Sequence, residues 1–203
     1  MTIKKLFHPI EIMNYTIKTI GNPLLRKKAK PVDVVVDDVN KLSLEMIRLM
    51  HDFRGIGLAA TQIGVNKSVI VIDIKVESRD AVSSGEVLLI PKMPITLINP
   101  KIVSYSRDKV IFEEGCLSVP LVYANVSRSS SIVLSGTLMG FGKIEVECEG
   151  VLSVVIQHEI DHLNGVLFVD RISPSEYRKV KEKLDALKSD PVKERRRNPP
   201  SGV

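Results

Sequence analysis

Apolar residues recur in this chain with two different periods, and the switch between them marks out the elements. Val39, Leu42, Met46, Leu49, Met50 and Phe53 stand three or four apart, as on one helical face. Asp37 and Asp38 can cap that helix, which should run to about Phe53. Ser68 to Ile74 is rich in Val and Ile and reads as a strand. Thr96 to Ile102 reads as another, bent at Asn99-Pro100, and Tyr105 to Phe112 is expected to pair back on it. Asn125 to Leu138 and Lys143 to Glu149 alternate like antiparallel strands joined near Gly140-Phe141-Gly142. Val151 to Leu163 is densely apolar without internal proline or glycine, and Gly165 follows as a stop, so a helix is expected. A last helix opens at Ser173-Pro174-Ser175-Glu176, where Ser173 and Glu176 have capping-box spacing; Tyr177, Val180, Leu184 and Leu187 form its stripe.

Between these segments the pattern weakens. Residues 1–14 read as an irregular arm, Tyr15 to Ile20 as a short strand, and Gly21-Asn22-Pro23 as a turn. Arg26 to Pro31 is a basic stretch, read as a solvated loop or helix end. Lys75 to Pro94 is a polar connection expected to be mobile. After Pro191 there is no periodicity, and 189–203 is expected to be a disordered basic tail. This leaves 15–188 as a single domain with no internal repeat.

Composition changes little in that picture. With 203 residues, 44% apolar and 26% charged, the chain suits one domain with a real core. There is no tryptophan, so packing rests on Ile, Leu and Val. The formal charge is +5, and from Lys188 onward five Lys/Arg against Asp190 and Glu194 leave +3 in the tail. The remainder is only slightly basic, which argues against a nucleic-acid-binding face. No apolar run is long enough to span a bilayer, and Leu6-Phe7 is broken at once by His8-Pro9, unlike a secretory signal. Cys116 and Cys148 are too few for a disulfide framework, so a reducing cytoplasm is the expected location.

Candidate chemistry centres on Gln157-His158-Glu159-Ile160-Asp161-His162. Two histidines four apart share a helical face and can hold one metal ion, with the intervening glutamate placed to move protons. The same string also arises by chance, with histidines that are ordinary core or surface residues. In Gly55-Ile56-Gly57-Leu58-Ala59-Ala60-Thr61-Gln62-Ile63-Gly64 two glycines permit close backbone approach, or simply make a turn; no Gly-Lys-Ser/Thr follows, which excludes a P-loop. The Gln62 amide could donate to an oxyanion. Cys116, in Glu113-Glu114-Gly115-Cys116-Leu117-Ser118, could be a thiolate ligand or a small buried hydrophobe. Cys148 continues the alternation Ile144, Val146, Cys148 and reads as structural.

Taken together, Gly55 to Gln62, Glu114 to Ser118 and His158 to Gly165 resemble peptide deformylases, which carry these motifs in this order. Gly21-Asn22-Pro23-Leu24-Leu25-Arg26, Leu97-Ile98-Asn99-Pro100 and Leu167-Phe168-Val169-Asp170-Arg171 are similar too, so the likeness runs from about Ile17 to Leu187. The resemblance implies hydrolysis of the N-formyl group from the starting methionine of new proteins. Cys116, His158 and His162 would be the ligands of one divalent metal, with a fourth position for water. Ferrous iron is the expected metal, with zinc, nickel or cobalt tolerated. Glu159 would take a proton from that water and pass it to the leaving amine. Gln62 and the Leu117 backbone N–H would stabilise the oxyanion. Gly55, Ile56 and Gly57, with Gly115, would pair with the peptide backbone, and Ile56, Tyr123, Val151, Val154, Val155 and His158 would line the methionine pocket.

The expected fold class is α+β, with antiparallel strands around the central HExxH helix and one helix before and after. The family's bacterial members with a C-terminal helix are similar here, and that helix or the basic tail could dock at the ribosome. Leu121-Val122-Tyr123 departs from the glycine or arginine that many relatives place there. Residues 1–14 and 75–94 are longer than usual. Two rivals stand beside this reading. An extended HExxH zinc peptidase would need histidine where Phe168 stands, and a metal-free binding module would not need Glu159 or Gln62.

Overall fold

Apolar strands build a large sheet and a hairpin, and the most apolar helix packs against both. The computed structural model describes residues 15–33, 36–75, 83–190, 192, 194 and 195. In chain order the elements are β1 (Ile17–Lys18), α1 (Val36–Asp52), β2 (Gly57–Ala59), β3 (Val69–Ile72), α2 (Ser84–Leu89), β4 (Ile95–Tyr105), β5 (Lys109–Cys116), β6 (Val119–Ser129), β7 (Ser131–Leu138), β8 (Gly142–Glu149), α3 (Gly150–Leu163), α4 (Pro174–Ser189) and β9 (Glu194–Arg195). Five strands form one antiparallel sheet in the order β2-β3-β4-β7-β8, while β5 pairs with β6 and β1 with β9. The architecture is α+β, as the sequence implied.

Every residue of α3 from Leu152 to Leu163 is buried. Its Leu152, Val155, Ile156, Ile160 and Leu163 pack with Ile70, Ile72, Leu97 and Leu134 of the large sheet. Polar residues on this helix are therefore held in a dry wall, and each needs a partner. Gln157 is anchored by Ser129, whose N–H donates to its Oε1 and whose carbonyl accepts from its Nε2 at 2.9 Å. The helix ends at Gly165, whose φ of 73° favours glycine and where a Cβ would meet the Arg26 carbonyl at 2.6 Å.

On α1, Val39, Leu42, Met46, Leu49 and Met50 are buried against Leu58, Val69 and Val71, as their spacing predicts. The helix already begins at Val36, so Asp38 sits in its first turn instead of capping it from outside. Asn99 makes the expected bend: φ is 52°, and its side chain exchanges two hydrogen bonds with the Val32 backbone, each 2.9 Å. On α4, Ser173 caps the Glu176 N–H, and Val180 and Leu184 pack on Val119, Val122 and Val126 of β6.

Two expectations are corrected. The segment after Tyr105 does not pair back on β4, because both edges of β4 are taken by β3 and β7; β5 instead forms a hairpin with β6 across Leu117-Ser118. The connection from Lys75 to Pro94 holds α2, with a capping box between Ser83 and Glu86, and a 3-10 turn at Ile90–Lys92; residues 76–82 lie outside the described residues. Within the expected tail, Glu194–Arg195 pair with β1 through backbone bonds that need no hydrophobic period, while 191, 193 and 196–203 lie outside the described residues. The arm at 1–14 lies outside the described residues. Among the described residues no helix is long and apolar enough to cross a membrane.

Candidate metal centre

The centre is assembled from two backbone segments far apart in the sequence. Burial of α3 aims His158 and His162 toward the β5–β6 hairpin, whose bend holds Cys116 where the register shifts after Gly115. Cys116 Sγ lies 3.1 Å from His162 Nε2, and His162 Nε2 lies 3.2 Å from His158 Nε2. One ligand atom from each of these three side chains falls within 4.8 Å of the other two. Two imidazole nitrogens and a sulfur facing one another this closely repel unless a proton or cation sits among them. The donor set therefore fits a divalent ion, which Cys116, His158 and His162 would hold.

Neighbouring groups fix these side chains. His158 Nδ1 is held by Glu114 Oε2 at 2.7 Å, which turns Nε2 toward Cys116. The Phe168 ring stacks on His158 with centroids 6.2 Å apart. Burial disfavours charge on Glu114, yet hydrogen bonds from Arg128 and His158 outweigh it and hold the carboxyl at about 2. Arg128 spans Glu114 at 2.6 and 2.9 Å and Asp161 at 2.5 Å; Arg171 closes the chain on the far side of Asp161. Burial works against charge on both histidines. At His158 hydrogen bonding to Cys116 and Glu114 nevertheless holds the ring well above its ordinary value, while at His162 burial and the charge of His158 hold it well below. Metal binding replaces such protons.

Glu159 faces the cleft from the same helix. Burial pushes its carboxyl up to about 7, and its Oε2 is a buried oxygen without a hydrogen-bond partner among the described residues. A methyl on Gly57 would fall 2.3 Å from Glu159 Oε1, so only glycine lets the backbone approach this carboxylate. Gln62 Oε1 accepts the Ala59 N–H at 2.8 Å, which orients Nε2 toward Ser118 Oγ at 3.1 Å and Cys116 Sγ at 3.5 Å.

These groups open on one cleft of about 500 Å³. Its lining brings together Gly55, Ile56, Gly57, Gln62, Gly115, Cys116, Leu117, Tyr123, Val154, Val155, His158 and Glu159. His162 lies behind the lining, buried. Val151 is not brought to the cleft; it sits in the exposed first turn of α3. Cys148 packs in the main core, where burial pushes its thiol up to about 12.

The model of the family described as "Polypeptide deformylase" matches residues 14–178. The chain is 42% identical to a peptide deformylase of Rhizobium meliloti, over 76% of this chain and 82% of that one. It is 39% identical to one from Acinetobacter baumannii, over 84% and 90%. The crystal structure of a peptide deformylase from Legionella pneumophila superposes with a TM-score of 0.72 at 39% identity, covering 87% of this chain and 96% of that one. The chain belongs to the polypeptide deformylase family. It is thus a metal-dependent hydrolase, and its reaction is the removal of the formyl group from nascent chains.

Against that deformylase frame, sequence reasoning missed the groups that hold the site in shape. Glu114 lies in the Glu114-to-Ser118 motif, but nothing in the sequence marks its hold on His158. Arg128, Asp161 and Arg171 carried no local signal, since their partners are up to 33 residues away. Ser118, Phe53, Arg54 and Arg195 were also missed, and the last three join the cleft wall.

Proposed function

We propose that this deformylase works through Cys116, His158 and His162 as ligands of one divalent cation, with Glu159 as the proton carrier. The observation that carries the reading is the convergence of one sulfur and two imidazole nitrogens beside a buried, proton-holding carboxyl in a peptide-sized cleft. A bound cation supplies Lewis acidity, which activates water near neutral pH and polarises the formyl oxygen. Glu159 accepts the proton of the attacking water and returns it to the departing amine. Gln62 Nε2, fixed by Ala59 and Ser118, donates to the developing oxyanion together with the Leu117 N–H. Residues 1–14 and 189–203 flank the catalytic unit at 15–188.

Strand addition supports the substrate reading. Among the described residues β2 and β5 each have a single paired neighbour, and both border the cleft. An extended peptide can therefore lie between Gly55–Gly57 and Gly115. The starting methionine would enter between Ile56, Tyr123, Val154, Val155 and His158, aliphatic walls suited to a thioether. The peptidase rival loses ground because Phe168, at the place of its third histidine, is buried in the apolar cluster under β6.

The test is formate release from a formyl-Met peptide by protein purified without oxygen. Cys116→Ala should lose most bound metal and at least about 100-fold in rate, as removal of a ligand does. Full activity in that variant would end the reading. We take ferrous iron as the native cation: activity should then fall in air, through the metal or Cys116, and hold under reductant. Equal lifetimes in both would favour zinc. A cytoplasmic location follows from the nascent-chain substrate. Contact with the ribosome through α4 or the basic residues after Lys188 is a further proposal; unchanged co-sedimentation at low salt after deleting 188–203 would exclude the tail.

A further inference from the structure

The C-terminal segment returns to the catalytic face. Ile17 pairs with Arg195 and Lys18 with Glu194. Glu194 Oε2 accepts from Thr16 Oγ1 and from Lys18 Nζ, each at 2.9 Å. Alternation along the strand then sends the next side chain the other way. Arg195 lies over the Phe53 ring, 4.7 Å from its centroid, and its Nη1 donates to the Leu117 carbonyl at 3.3 Å. Phe53 precedes Gly55–Gly57 and Leu117 follows Gly115, and both line the cleft. The guanidinium thus touches a residue next to each segment that would hold an extended peptide, and it lines the cleft.

We propose that Arg195 is a specificity-determining residue of the deformylase groove, binding a carboxylate side chain of the peptide downstream of the formyl-methionine. A guanidinium presents several N–H donors in a planar fork matched to a carboxylate. Among the described residues one of its hydrogen bonds is formed, to Leu117, and the group is half-buried, so donors remain on a partly desolvated, sequestered cation. Its surroundings favour an anion. Arg54 lines the same cleft and adds a second positive charge. Of the carboxylates that line it, Glu114 is consumed by Arg128 and His158, and Glu159 lies deep beside Gly57. That leaves Glu113, exposed on β5, as the opposing charge. Phe53 fixes the guanidinium plane by stacking, and the Glu194 ion pair pins the strand that carries it.

This inference rests on the deformylase reading, and its test separates the two. Formyl-Met peptides of four residues, amidated at the C-terminus, would carry Asp or Lys in turn at the second, third or fourth position. The wild-type chain should favour Asp at one position by roughly fivefold in kcat/KM, mainly through KM, as a partly exposed ion pair allows. That ratio should shrink as salt is raised. Arg195→Ala should bring it to about one, and Arg195→Lys should restore part of it. A ratio unchanged in Arg195→Ala overturns the proposal. So does an equal fall in kcat on every peptide, which would leave Arg195 the structural task of holding Leu117. Absence of formate release by the wild-type chain on all peptides would overturn the deformylase chemistry itself.

Discussion

Glu159→Gln should cut formate release about a thousandfold while leaving the metal content and KM nearly unchanged. The side chain is buried next to Gly57 and shares α3 with His158 and His162, the two proposed histidine ligands. Glutamine keeps its volume, so neither the cleft nor the helix has cause to move. What is lost is the ability to take up a proton and give it back. Burial has raised the carboxyl to about 7, which lets it hold a proton midway through the cycle at neutral pH. Single-turnover kinetics with metal analysis would check this. A variant keeping more than a tenth of wild-type kcat with full metal would show that another group carries the proton.

The second large effect concerns stability. Arg128→Met should destabilise the fold by about 3–5 kcal/mol, because it removes the guanidinium that neutralises Glu114 in a dry interior. Arg128, Glu114 and Asp161 are 3%, 5% and 7% exposed. Asp161 keeps Arg171, whereas Glu114 keeps only His158. The melting temperature should fall by roughly 10 °C. The pH dependence follows from the sign of the shift. With its folded value lowered to about 2 against an ordinary 4.5, Glu114 contributes stability above 4.5, and that contribution is lost as pH falls toward 2. Without Arg128 only His158 still favours the charged carboxylate, so this contribution shrinks in the variant. The gap between the two proteins should be widest near pH 7 and narrow below pH 4. Denaturant unfolding at both pH values would measure it, and a constant gap would refute the argument. Glu114→Gln added to Arg128→Met should recover part of the loss, since the buried charge is gone.

The reach of each interaction decided what could be seen in advance. The α1 stripe, the Ser173 cap and the Gly165 stop each rest on contacts within a few residues, so periodicity and capping chemistry exposed them. His158, Glu159 and His162 were legible for the same reason, lying within one turn or so of a helix. Cys116 was not: on its own residues it read equally as a packing thiol, and only the combined motifs of a family marked it as a ligand. The partner of β5 was misjudged because strand alternation gives a face but no neighbour. Val151 shares the helical stripe of Val154 and Val155 but does not line the cleft, because spacing defines a stripe while the packing around α3 decides how far it reaches.

What the amino-acid order determined by itself was therefore local: which segments coil, which extend, where each stops, and which side chains share a helical face. The tertiary structure alone decided that Glu114 and Arg128 would lock His158, that Ser118 would aim Gln62, and that Arg195 would come home to the mouth of the cleft. Those contacts join residues from 14 to 78 positions apart. Polar partners at such distances leave no period in the sequence, because a single well-placed donor satisfies a buried acceptor wherever along the chain it originates.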